Sequence, residues 1–202
     1  MKKKSNKRIG FFDTEISNNA TKVGWKNFAE LQYAVGCNYV LEFDQGKKVS
    51  EAMGSFLDPK DLAKSLDSCD YVVGFNNHSF DNSLVLTKAG PSTFISKSFD
   101  VYEDVCALTG IQYMTSLGRL GRYTIGESKT NGVDGSKVEQ MWKDGKHAEV
   151  TEYCEQDCRL LANIFLFGVQ YGYVILAPNK NQELFGSMVI QLPVPKWKQF
   201  VV

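Results

Sequence analysis

The chain carries no net charge: 23 lysines and arginines offset 23 aspartates and glutamates over 202 residues. That balance excludes a uniformly basic surface that grips a polyanion from any side, although segregated patches still steer phosphates locally. No apolar run reaches about 18 residues, so nothing reads as a membrane-spanning helix, and no signal-peptide pattern opens the chain. The expectation is a soluble, cytoplasmic protein with no membrane partner. Histidine is scarce, with two residues, and neither Cys-x-x-Cys nor His-x-x-x-His spacing occurs, so a zinc site is not expected. The five cysteines (37, 69, 106, 154 and 158) are odd in number and lie mostly in apolar contexts. They fit buried free thiols in a reducing compartment rather than a disulfide framework.

What is present is the material of an ordinary globular core, 43% hydrophobic and 12% aromatic residues. The length suits one domain, or one domain with a small appendage. Residues 1–8 form a basic extension, with Lys2, Lys3, Lys4, Lys7 and Arg8 serving either as a solubilising terminus or as an arm for phosphates. Residues 9–172 hold the domain, and 173–202 read as an extended tail holding Pro178, Pro193 and Pro195. That tail either packs on the domain or leads away from it.

Within the domain, Ile9–Phe12 predicts a short buried strand ending at Asp13, followed by a polar, irregular loop over 16–30. Leu31–Phe43 and 47–56 predict two further strands. Asp58-Pro59 is a helix start, with an N-cap followed by proline in the first turn, and the helix runs to about Ser68. Tyr71–Phe75 is a continuous apolar run, as in a strand covered on both faces. A turn over Asn76–Phe80 leads into a helix to Ala89, and Phe94–Val101 contains another short strand. Residues 103–126 read as two helical pieces, 128–135 as a flexible loop, Ser136–Lys143 as a short helix and Ala148–Tyr171 as the longest helix. Strands first and strands mixed with helices afterwards predict an α/β class with a mixed sheet.

Three acidic clusters stand out against this pattern. Strand alternation puts Phe11, Asp13 and Glu15 on one face, so both acids point the same way. Two like charges so close repel, and a bridging cation makes them useful. Asp81 follows the turn after the apolar strand. In the longest helix Val150, Cys154, Asp157, Leu161 and Phe165 form one buried stripe that Asp157 interrupts with a charge, and Tyr153 lies one turn before it. Burying such a charge without a partner is costly. Four acids gathered in this way need cations, and two divalent metals suggest phosphodiester hydrolysis.

These clusters also carry a resemblance. Phe-Asp-Thr-Glu15, then Gly74-Phe-Asn-x-x-x-Phe-Asp81, then Tyr153-x-x-x-Asp157 resemble the three exonuclease motifs of the DEDD superfamily, and the tyrosine is similar to its DEDDy branch. Ser116-Leu-Gly-Arg-Leu120, Trp142-Lys-x-Gly145 and Glu152-Tyr-Cys-x-x-Asp157 look like the RNase H-like (DnaQ-like) exonuclease domains found alone or joined to helicases. The resemblance covers residues 8–172. It implies an RNase H-like mixed β-sheet flanked by helices, and a 3′–5′ exonuclease acting on single-stranded nucleic acid with two Mg2+ or Mn2+ ions. It implies Asp13, Glu15, Asp81 and Asp157 as metal ligands, and Tyr153 as the residue that positions or helps deprotonate the attacking water.

Further residues follow from context. Thr14 is expected to contact the terminal nucleotide, and Asn77 and Phe80 to line the pocket, Phe80 by stacking on a base. Lys129, Lys137, Arg119 and Arg122 flank the loop and suggest a phosphate track. Asp100 and Asp104 read as capping or supporting acids, His78 as a surface turn residue and His147 as structural. DNA is slightly favoured over RNA, and a helicase or another nucleic-acid-processing protein is a conceivable partner. The rival readings are a structure-selective endonuclease and a noncatalytic binding or adaptor module.

Overall fold

A computed structural model describes residues 6–18, 20–109, 115–129, 135–177 and 189–201. The sheet is built around β1 (Lys7–Ile16), which is followed by a single helical turn, α1 (Ala20–Val23). β2 (Tyr33–Asp44) returns antiparallel to β1 in register from Lys7↔Phe43 to Ile16↔Tyr33, and β3 (Lys47–Phe56) returns antiparallel to β2. α2 (Pro59–Asp67) crosses to β4 (Tyr71–Gly74), and Asp58 caps its start by accepting from the Lys60 N–H at 2.8 Å. α3 (Asp81–Ala89) and a 3-10 turn lead to β5 (Ser98–Asp100), after which α4 (Val101–Thr109), α5 (Leu117–Ile125), α6 (Gly135–Lys143) and α7 (His147–Tyr171) follow. Two short strands, β6 (Tyr173–Leu176) and β7 (Ile190–Pro193), pair antiparallel apart from the main sheet.

Among the described residues the main sheet has five strands in the order β3-β2-β1-β4-β5, with β4 and β5 parallel to β1. An antiparallel meander continued by parallel strands through helical crossovers is an RNase H-like α/β arrangement. Alternation along β1 divides the core between the two faces of the sheet. Ile9 and Phe11 pack with α7 and the chain end, whereas Phe12 packs with Leu62, Leu66, Val72 and Phe94 on the other side. β2 is buried along most of its length because helices cover both of its faces. No helix among the described residues is long and apolar enough to cross a membrane.

Three expectations need correcting. β1 does not end at Asp13 but continues to Ile16, because β2 pairs with it along its whole length. The stretch 16–30 is not wholly irregular, since Ala20–Val23 makes a helical turn whose Ala20 is buried with Leu31 and Leu84. The strand within 94–101 is only Ser98–Asp100. The residues before it are 3-10, and Val101 already begins α4, whose Tyr102 and Glu103 N–H groups donate to the Asp100 carboxylate. Much of the loop over 128–135, the join at 110–114, Lys2–Lys4 and Pro178 lie outside the described residues.

The described part of the chain end packs on the domain. Trp197 has no exposed surface and stacks on Phe165 of α7, with centroids 5.1 Å apart and planes at 11°. Its indole N–H donates to Asp104 at 2.8 Å. The ring lies directly against the backbone of α7: a Cβ at Gly168 would sit 2.4 Å from it, so that helix position must be bare. Trp197→Ala is expected to cost about 3–5 kcal/mol, read as a lower urea midpoint at unchanged slope. A cost under about 0.5 kcal/mol would mean that the chain end contributes nothing to the fold.

Candidate metal centre and adjoining cleft

Each acidic side chain owes its position to a different element. Asp13 and Glu15 lie on β1 opposite Cys37 and Val35 of β2. On its other edge β1 pairs with β4 only from Ile9 to Phe11, so the two acids emerge where the parallel neighbour has ended. Asp81 is the first residue of α3. Asp157 lies in the middle of α7 on the buried stripe, 2% exposed, with Tyr153 one turn earlier at 4%. Two thiols fix α7 against the sheet: Cys154 donates to the Asp13 carbonyl at 3.4 Å and Cys158 to the Cys37 carbonyl at 3.5 Å.

Asp13, Glu15 and Asp157 come together, each offering a carboxylate oxygen, with these atoms all within 4.8 Å of one another. Asp81 stands beside the trio, held by the Thr14 N–H at 3.1 Å and by the Thr14 hydroxyl, which also donates to it. Lys129, from the segment after α5, donates to Asp157 and, at 3.1 Å, to the Tyr153 hydroxyl. The second oxygen of Asp157, Oδ1, is buried without a hydrogen-bond partner. A buried carboxylate oxygen left unpartnered is costly. Together with an all-oxygen donor set, it fits a hard divalent cation rather than zinc or copper.

The electrostatics have the same origin. Burial raises Asp13 well above the usual carboxylate range, and Glu15, Asp81 and Asp157 raise it further. Burial, then the charge of Asp157, pushes Glu15 up to about 8, with Lys129 opposing. Burial lifts Asp81 to about 7 despite its bonds from Thr14. Asp157 is raised by burial even though Lys129 pulls the other way. For Lys129 burial disfavours the charge, but the attraction of Asp157 and Asp13 outweighs it and the ammonium is held above its ordinary range. Burial and the Asp157 charge raise the Tyr153 phenol, so it keeps its proton at neutral pH.

A cavity of about 330 Å³ opens beside this cluster, lined by Thr14, Glu15, Trp25, Phe80 and Glu139 among others. The edge of Trp25 meets Phe80 at 5.9 Å, and Phe28 braces Phe80 from 5.8 Å. Trp25 is 60% exposed, unusual for so large an apolar ring. Nothing in its sequence context singles it out, since its stretch is polar and has no period. Phe80 does line the cavity. Asn77 does not: its side chain has no exposed surface and donates to Ser98 at 2.8 Å and to Asn82 at 3.3 Å. Thr14 lines the cavity while its hydroxyl and N–H are spent on Asp81. Asp100 caps α4 and also accepts from the Asn76 and His78 N–H groups. His78 pairs with Glu103 at 2.7 Å, and His147 stacks on Trp142. Arg119 donates to the Ala177 carbonyl, and Arg122 and Lys137 are exposed.

No family model matches the chain, and no curated protein does. Solved structures of exonuclease I are similar at low identity. One described as suggesting how processivity is achieved is 11% identical over 87% of this chain and 53% of that one, with a TM-score of 0.43. An inhibitor complex is 13% identical over 74% and 44%, with a TM-score of 0.41. The zinc-bound E. coli complex with single-stranded DNA is 15% identical over 79% and 43%, with a TM-score of 0.36. The chain spans about half the length of these proteins. Likeness at this level adds no chemistry to the site.

The raised carboxyls set a pH dependence. Glu15 at about 8 and Asp81 at about 7 exceed their ordinary values of 4.5 and 3.8, so the folded protein binds more protons than the unfolded chain between those limits. The contribution of these two groups to stability without metal is therefore greatest below the ordinary values and is lost as pH rises towards 8. Melting in chelator should show that fall, and Mg2+ or Mn2+ should largely remove it. A melting temperature at pH 8 indifferent to both ions would speak against a metal centre.

Proposed function

We propose that this chain is a metal-dependent 3′–5′ exonuclease that hydrolyses phosphodiester bonds of single-stranded nucleic acid, with DNA slightly favoured over RNA. The observation that carries this reading is the convergence of Asp13, Glu15 and Asp157, with an unpartnered Asp157 oxygen, at the edge of an aromatic cavity. Asp13, Glu15, Asp81 and Asp157 would hold two Mg2+ or Mn2+ ions. Such ions, when bound, make water a nucleophile near neutral pH and stabilise the oxygen that leaves.

The side chains do the rest. Tyr153 keeps its proton, so it serves as a donor that orients the attacking water rather than as the base that deprotonates it. Thr14 fixes the Asp81 carboxylate beside the cluster through two bonds to one of its oxygens. Trp25 and Phe80 offer ring surface on which an unpaired base stacks, which tolerates any base identity. The cavity is of small-ligand size, which suits one terminal nucleotide and favours removal from an end over internal cutting.

Single strands labelled at either end, incubated with Mg2+ or Mn2+ beside Asp13→Ala, test this. The expected result is a ladder shrinking from the 3′ end, lost in the variant and in chelator. Internal cuts would favour the endonuclease, and binding without cleavage the adaptor module. Tyr153→Phe is expected to lower turnover about 10²-fold or more with metal affinity unchanged; full turnover in that variant would remove tyrosine from the mechanism.

A further inference from the structure

The most unusual group in the site is a cation that the protein supplies itself. We infer that Lys129 is a resident counter-ion of the metal centre, one that covers an Asp157 oxygen in the metal-free protein and must yield it before the site fills. The inference rests on the reading of the carboxylates as metal ligands. It adds that the chain sets its own threshold for metal.

Lys129 is built into this position. On α5, Gly118 and Gly121 lie one turn apart and form a bare strip that the following segment crosses. A Cβ at Gly118 would meet Lys129 Cγ at 3.2 Å, and one at Gly121 would meet the Glu127 carbonyl oxygen at 2.9 Å and Leu160 of α7 at 2.7 Å. A side chain at Gly121 would have to push the segment outward, and one at Gly118 would crowd the Lys129 stem by a few tenths of an ångström. A second tie holds the segment to α7, where Asn163 donates to Glu127 at 3.1 Å. The lysine stem is thereby aimed at Asp157, and its ammonium crosses the Tyr153 ring at 5.1 Å on the way. The partners are unlike a surface ion pair, with side-chain exposures of 33% for Lys129 and 3% for Asp157. A surface lysine would be free to swing away; this one is confined to the cluster, and its charge acts on Asp13 and Glu15 as well.

Asp157 thus has one oxygen bonded to the ammonium and one with no partner. The unpartnered oxygen is available at once. The covered one becomes available only when Lys129 lets go, so cation binding at the centre is unequal, with a later, weaker step in competition with Lys129. Its bond to the Tyr153 hydroxyl at 3.1 Å does not depend on Asp157, so an ammonium released from Asp157 would still have a partner at the site.

The test is a Mn2+ titration read by calorimetry and by the spin resonance of free Mn2+, which needs no nuclease activity. Wild type, Lys129→Met and Lys129→Arg are compared. Removing the competing charge is expected to tighten the weaker Mn2+ step about tenfold or more, while Lys129→Arg stays near wild type. Gly118→Val keeps every charge and crowds the lysine stem, so it should shift the weaker step in the same direction. It also carries the comparison should Lys129→Met fail to fold without metal. Wild-type binding that neither Lys129→Met nor Gly118→Val alters would overturn this inference and leave the carboxylate centre intact. Failure of every variant and the wild type to bind Mn2+ would overturn both.

Discussion

Everything near the cleft answers to one constraint, the repulsion among carboxylates crowded where water is scarce. Asp13, Glu15 and Asp157 converge within 4.8 Å, and Asp81 adds a fourth charge from the side. Lys129 and the Thr14 bonds offset only part of that repulsion, so the arrangement has to be imposed by packing that gains elsewhere. The imposing element is α7. Its apolar stripe from Val150 through Phe165 is buried against β1 and β2, and the two thiol contacts to the Asp13 and Cys37 carbonyls set its height along the sheet. Apolar burial is worth roughly 25 cal/mol per Å², enough over a 25-residue helix to carry one misplaced charge.

Asp100 shows how differently the same chain treats a structural acid. It is as buried as Asp157, at 2% exposure for each. Yet it accepts from four backbone N–H groups, those of Asn76, His78, Tyr102 and Glu103, and both of its oxygens are engaged. Asp157 has a lysine on one oxygen and nothing on the other. Buried polar atoms in folded proteins are nearly always partnered. The contrast therefore separates an acid that closes a helix start from one kept open for a ligand, although the two are equally hidden.

That difference explains how much could be read in advance. The two acids on β1 and the charge interrupting the α7 stripe are periodicity signals, and periodicity survives in a sequence without a structure. Asp58-Pro59 was legible for the same reason, since capping is local. β1 ran past its expected end because β2, two dozen residues on, pairs with it throughout, and pairing is not local. Asn77 turned inward because Ser98 and Asn82 offer bonds that only the folded turn brings near. Trp25 lies in a stretch with no period, so nothing marked it as facing Glu15. The basic residues around the loop read as one group, yet only the bare strip on α5 separates Lys129 from Arg119 and Arg122.

The chain end belongs to the same mechanical argument. Trp197 stacks on Phe165, which meets Phe11 edge-on at 5.4 Å, and Phe11 lies two residues before Asp13 on the same face of β1. Two turns N-terminal to Phe165, α7 carries Asp157. The ring pair therefore sits between the strand that presents two of the acids and the helix that presents a third. Close-packed interiors transmit displacements instead of absorbing them. A tail reading as extended, proline-bearing chain is thus packed behind the strand and the helix that present the acids, and its burial helps to hold the two in place.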